Sequence, residues 1–284
     1  MTIAAVGDVM LGRSIGQVIE HDGPATIFAD VRTSLAGADI AVANLECAVG
    51  DGGTPEPKAY TFLAPPGAVA ALVDSGIDIV GLANNHALDF GPDTLRREIA
   101  LLDAAGMAHA GAGVDVRGAR APAILTRNGL RVAFIAYVDV PVEFGGFDTH
   151  SWVATVDSPG VAWLDLDAMR GDIRLARTSA DLVVVLLHFG LEREAAPSSK
   201  QVEDAHAAID AGAALVIGAH PHVLQPVERY GAGLIAYSLG NFVFDGEESG
   251  VASEILDVTL DESGVVAWRT EPIAVGPNGR PAKR

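Results

Sequence analysis

The chain has 284 residues, with 19 Lys and Arg against 37 Asp and Glu, a formal charge of −18. That balance excludes a general nucleic-acid binder, because phosphate contacts need a positive face. A single cysteine, Cys47, excludes an internal disulfide framework and a cysteine-rich zinc site, and points to a reducing compartment. With 49% apolar and 20% charged residues, the composition is that of a soluble globular protein, expected in the cytoplasm. The most apolar windows, 182–187 and 213–218, are six residues each, against roughly 20 for a membrane span, so no integral membrane segment is expected.

In chain order, short apolar runs at 3–6, 39–43, 77–82, 182–187 and 214–217 predict strands. Segments of helical period lie between them at 24–35, 67–75, 92–105, 165–179 and 198–211. In 92–105, Leu95, Ile99 and Leu102 share one face, as an amphipathic helix requires. This alternation predicts α/β layering with buried central strands. Asn128-Gly129 between 123–127 and 131–137 is a hairpin signal. Gly231-Ala232-Gly233 and Glu262-Ser263-Gly264 divide two further strand pairs, so two packed mixed sheets with helices outside are expected. The stretches 51–66 and 139–160 read as loops, and 276–284 as a loose tail beyond a single domain at 1–275.

Polar residues interrupt the apolar strands at their ends. Gly7-Asp8 closes the first, Asn44-Leu45-Glu46 the second, and Asn84-Asn85-His86 the third; His188 and His220-Pro221-His222 close two more. In layered α/β folds the carboxyl ends of strands converge on one edge, where ligands bind. Asp8, Glu46, Asn85, His188, His220 and His222 therefore form a candidate mixed nitrogen and oxygen metal cluster. Its chemistry suits zinc, iron or manganese better than calcium or magnesium. Cys47 follows Glu46 directly and reads as a small buried residue, since a neighbouring carboxylate disfavours a thiolate.

Six ordered motifs resemble the CapA family, the poly-γ-glutamate capsule synthesis proteins: 7–13, 44–46, 82–89, 188–192, 218–225 and 237–245. That family belongs to the calcineurin-like metallophosphatase superfamily, and the resemblance implies an α/β/β/α sandwich of two mixed sheets flanked by helices. It also implies that Glu46 bridges two metals, with Asp8 and His222 on the first and Asn85, His188 and His220 on the second. By the same resemblance His86 is a general acid whose ring Asp89 orients. Where the superfamily usually carries a histidine this chain has Met10, and a thioether is a poor partner for a hard cation. One well-formed divalent site and a second, weak or empty one are therefore expected. Phe189 stands for the family's usual Trp, and Phe62-Leu63 for its Phe-Arg pair. Arg13, Asn84, Lys58 and Glu192 are the expected substrate contacts.

Three activities compete. The first is hydrolysis of a phosphoester or a γ-glutamyl or peptide-like linkage by metal-activated water. The second is a non-hydrolytic part in poly-γ-glutamate assembly. The third is metal-independent Cα epimerisation of a peptide in a natural-product pathway, with Asp8 and a motif histidine as the acid–base pair.

Overall fold

The computed structural model describes residues 1–246 and 251–284. The five expected strands are present as Thr2–Val9, Ile40–Leu45, Ile79–Gly81, Leu182–Phe189 and Leu215–Ala219. Each is a near-continuous apolar run because both of its faces are covered. In Leu182–Phe189, for example, Leu182, Val184 and Leu186 join the core between the sheets. The alternate residues Val183, Val185 and Leu187 pack with Met169, Ile173, Ala205 and Ala208 of the helices Leu166–Ala176 and Ser199–Ala211.

The first sheet runs Pro281–Lys283, Gly264–Val275, Val251–Asp261, Thr2–Val9, Ile40–Leu45, Ile79–Gly81, Ala108–Ala110. It is parallel from Thr2–Val9 onward and antiparallel on the other side. The second sheet has four parallel central strands, Gly233–Ala236, Leu215–Ala219, Leu182–Phe189 and Leu130–Asp139. Hairpin partners Val227–Tyr230 and Ala123–Arg127 close its edges. The Asn128-Gly129 turn has φ of 51° and 83°, the paired positive values of a tight hairpin. The two sheets face each other across a cavity of about 20 Å³ lined by Val6, Val42 and Gly81 from one and Ala136, Leu186 and Ile217 from the other. The architecture is the expected sandwich of two mixed sheets flanked by helices. No helix among the described residues is long and apolar enough to cross a membrane.

Three local readings change. The helix expected over 24–35 is a 3-10 turn, Pro24–Thr26, and a short helix, Arg32–Leu35. Its Thr, Ser and Asp residues are weak helix formers, and the Thr26 hydroxyl donates to the Gly23 carbonyl instead. An unanticipated helix occupies Arg13–Asp22, with Ile15 and Ile19 buried. The tail at 276–284 is not loose: Pro281–Lys283 pairs with Gly264–Val275, and Lys283 reaches Glu271 at 2.9 Å. An open strand edge offers backbone partners that a three-residue segment cannot advertise by periodicity.

The end of Thr2–Val9 is held unusually close. The Asp8 N–H donates to the Gly240 carbonyl at 2.9 Å, and a Cβ on Gly7 would lie 1.9 Å from that same oxygen. Gly7→Ala should therefore lose stability at or beyond the upper end of the ~1–3 kcal/mol typical of overpacking. Urea denaturation checks this, and a loss below ~0.5 kcal/mol would contradict the contact. A second test concerns Glu98, which is 1% exposed and accepts from the Val49 N–H at 3.2 Å. Burial raises its carboxyl well above the usual range. The folded chain thus keeps a proton that the unfolded chain releases above about pH 4.3, so stability falls as pH rises through that window. Glu98→Gln should gain on the wild type between pH 4 and 8 in denaturation midpoints measured across that range.

Candidate metal centre and cleft

The strand ends meet where the sequence places them. Asp8 and Glu46 come from the first sheet with Asn84, Asn85 and His86, while His188, His220 and His222 come from the second. The His188 and His220 rings lie 4.9 Å apart and those of His220 and His222 5.7 Å apart. Asp8, Glu46, Asn85 and the three histidines are all buried. Ligand atoms of Asp8, Glu46 and His188 fall within 4.8 Å of one another, as do those of Glu192, His220 and His222.

Asp8 accepts from Asn44 Nδ2 at 2.8 Å and from the His220 N–H at 3.3 Å, and it faces His222 Nδ1 at 3.2 Å. Burial opposes its charge, but the hydrogen bond and charge of His222 win, so its carboxyl is held well below the usual range. Burial likewise opposes the His222 proton, and Asp8 again wins, raising that imidazole. Glu46 is pushed up by burial and by the charge of Asp8. His188 is pushed down to about 3, chiefly by burial. It bonds Asn85 Oδ1 through Nε2 at 2.7 Å and Asn44 Nδ2 through Nδ1 at 3.2 Å. The same Asn44 amide also reaches Glu46 at 3.2 Å. Sequence reasoning gave Asn44 no role, although it sits in a quoted motif two residues before Glu46.

Two donor atoms are left over. Among the described residues, Glu46 Oε1 and His220 Nδ1 are buried without a hydrogen-bond partner, a state that normally costs ~1–3 kcal/mol or more. A cation beside either atom would satisfy it, and a mixed carboxylate, amide and imidazole set is chemically suited to a divalent transition ion. The residues present therefore fit a divalent metal.

Beside the cluster, Asp89 Oδ2 lies 2.7 Å from His86 Nδ1 and accepts from the Phe62 N–H at 2.6 Å. Phe62 stacks on the His86 ring at 4.2 Å. Burial and then the Lys58 charge hold His86 well below its usual pKa, while burial raises Asp89 to about 7 against the pull of Lys58. The Lys58 ammonium meets Asp89 at 2.7 Å, and Glu143 and the Asn85 carbonyl at 2.5 Å, and its side chain is 0% exposed. Lys58, expected as a substrate contact, is thus enclosed by protein groups. Asn84, also expected as a substrate contact, is enclosed too: it donates to the Asn44 side chain and the Leu45 carbonyl and accepts from the His86 N–H, with 0% exposure. Neither burial could be foreseen, because enclosure in a loop is invisible to residue type. Glu143, from a loop of no sequence pattern, was missed for the same reason.

Arg13 and Glu192 do reach solvent, at the rim of a cleft of about 280 Å³ floored by His86, His222, Phe62 and Phe244. Asp245 holds the Arg13 guanidinium at 3.2 Å, over the Phe62 ring. Positive φ values at Arg13, Arg193, His220 and His222 concentrate backbone strain here, ~1–3 kcal/mol each. Cys47 is buried, accepts from the Leu11 N–H and has a thiol raised well above its usual range by burial, which agrees with a packing role. Met10 is fully buried, and its sulfur accepts from the Gly12 N–H at 3.1 Å.

Lys58→Met would leave Asp89 and Glu143 without their buried cation. We expect a loss of ~3–5 kcal/mol in chemical denaturation, as when one partner of a buried ion pair is removed. A loss under ~1 kcal/mol would mean that the two carboxyls are neutral and need no lysine.

The fold and cleft can be set beside known proteins. The family model for the bacterial capsule synthesis protein PGA_cap matches residues 2–246. The capsule biosynthesis protein CapA of Bacillus anthracis is 33% identical over 97% of this chain and 67% of its own length. Two crystal structures share the fold at low identity. A hypothetical protein from Thermus thermophilus has a TM-score of 0.59 at 18% identity, covering 96% of this chain and 98% of its own. A novel phosphatase from Mycoplasma pneumoniae has a TM-score of 0.55 at 13% identity, covering 96% and 93%. With six motifs in order, a sandwich of two mixed sheets flanked by helices and a family match across most of its length, the chain belongs to the PGA_cap family of bacterial capsule synthesis proteins, the CapA family.

Proposed function

We propose that the chain is a metal-dependent hydrolase acting on a phosphoester or a γ-glutamyl or peptide-like linkage. The observation that carries this reading is a buried donor cluster with two unsatisfied atoms, Glu46 Oε1 and His220 Nδ1, beneath a cleft that His86 also lines. Asp8, Glu46, Asn85, His188, His220 and His222 are the residues that would hold divalent Mn, Zn or Fe. Such an ion supplies Lewis acidity and lowers the pKa of water toward neutrality.

The protein's own groups do the rest. Asp89 engages His86 Nδ1, so Nε2 is the nitrogen left for substrate, and the ring is locked by the Phe62 stack. With Asp89 raised to about 7, the pair holds a proton near neutral pH that His86 can pass to a leaving group. Arg13, oriented by Asp245, offers a guanidinium to an anionic part of the substrate, phosphate or carboxylate.

One observation favours a second reading. The Asn44 amide stands between Asp8, Glu46 and His188, so part of the cluster is neutralised by the protein itself. That suits a metal-independent Cα epimerase, with Asp8 and a histidine exchanging a proton at a peptide carbon. A non-hydrolytic part in capsule polymer assembly agrees with the family description and needs no turnover at all.

Chelation followed by Mn²⁺ or Zn²⁺ should abolish and then restore hydrolysis of phosphoester and γ-glutamyl test substrates. Activity that resists chelation and brings solvent deuterium to Cα would favour the epimerase. His86→Ala should lower kcat ~10²–10⁴-fold, the usual worth of a general acid, with metal content by mass spectrometry unchanged. Turnover within about threefold of wild type would make His86 structural.

A further inference from the structure

Glu192, expected as a substrate contact, has its carboxylate placed against two imidazoles. Its ligand atom and those of His220 and His222 all lie within 4.8 Å of one another. The separate triad of Asp8, Glu46 and His188 shares no residue with this one. The two triads adjoin, since His222 lies 3.2 Å from Asp8 and 3.5 Å from Glu46, and Glu192 adds an exposed carboxylate on the rim side of the buried donors.

Three further features hold this arrangement. Gly190, at φ 102° and with no room for a Cβ beside Gln201, turns the chain sharply after His188. The Arg193 N–H then donates to the Pro221 carbonyl at 2.8 Å, tying the Glu192 turn to the segment that carries His220 and His222. His222 uses Nδ1 on Asn241 at 2.8 Å and on Asp8, which fixes its ring and leaves Nε2, 3.5 Å from Glu46 Oε1, as the atom an ion would take. His220, 4% exposed, has a buried Nδ1 without a partner among the described residues.

We infer that Glu192 is a metal ligand, contributing with His220 and His222 to a divalent-cation site at the mouth of the cleft, next to the inner triad of Asp8, Glu46 and His188. Two donors on one ion at ~2.1 Å are at most ~4.2 Å apart, so a small swing of the exposed Glu192 carboxylate closes the triad. Three protein ligands leave coordination positions open, as in catalytic rather than structural sites. The open side faces the Arg13 rim, where an anionic substrate group would meet both the ion and the guanidinium. This inference rests on the metal-dependent reading above.

Chelator-stripped full-length protein titrated calorimetrically with Mn²⁺ and with Zn²⁺ tests it without reference to turnover. Glu192→Gln should lose one binding event or weaken it about tenfold or more, at least the ~10–100-fold that second-layer partners of a metal are worth. Glu194→Gln, which removes a neighbouring exposed charge, should stay within about twofold of wild type. Equal stoichiometry and affinity in Glu192→Gln and wild type would overturn the assignment and leave the metal-dependent reading intact. Equal weakening in both variants would reduce Glu192 to a background charge and also overturn it. A wild-type protein that binds neither ion would overturn both readings.

Discussion

Asp8 carries a full negative charge with no exposure to water, and the edge of the sandwich is organised around that requirement. Its oxygens are met by a side-chain amide, a backbone N–H and an imidazole, from Asn44, His220 and His222 respectively. A buried carboxylate supported in this way keeps its charge, and that charge in turn raises the His222 imidazole against the effect of burial and adds to burial in pushing Glu46 up. Strand geometry makes the arrangement possible. The parallel centres of both sheets deliver their carboxyl ends to one side, so residues from several strands and loops meet without any one segment having to bend far.

A second buried charge system lies beside the first and has the opposite sign at its centre. Lys58 is enclosed by Asp89, Glu143 and the Asn85 carbonyl. Because Asp89 also holds His86 and Asn85 also holds His188, the lysine links the imidazole that faces the cleft to the one that faces the cluster. Trp152 and Phe147 lie 4.9 and 5.8 Å from the ammonium, adding cation–π attraction in a site from which water is excluded. The loop around Glu143 therefore belongs to the site as much as the strand ends do. Its sequence does not mark it, because a loop residue is recruited by position rather than by period.

Much of the fold was legible from the chain. Apolar runs with both faces covered, such as Leu182–Phe189 and Leu215–Ala219, announce buried parallel strands. Asn128-Gly129 announces its hairpin, and Asp, Glu, Asn and His at strand ends announce a converging edge. Less visible was the helix Arg13–Asp22, signalled only by Ile15 and Ile19. The strand Pro281–Lys283 could not be read at all, since what stabilises it is a free edge supplied by Gly264–Val275.

The sequence by itself determined the layered α/β class, the chemical types gathered at the edge and the membership of the family. These follow from local periodicity and from short motifs, which survive without knowledge of neighbours. Tertiary structure alone decided which polar residues are enclosed and which face solvent. It buried Lys58 and Asn84, left Arg13 and Glu192 at the rim, inserted Asn44 between two carboxylates, and brought Glu192 beside His220 and His222. Each of those outcomes depends on contacts between segments far apart in the chain, and the free energy of a polar group is set by what surrounds it, not by its place in the sequence.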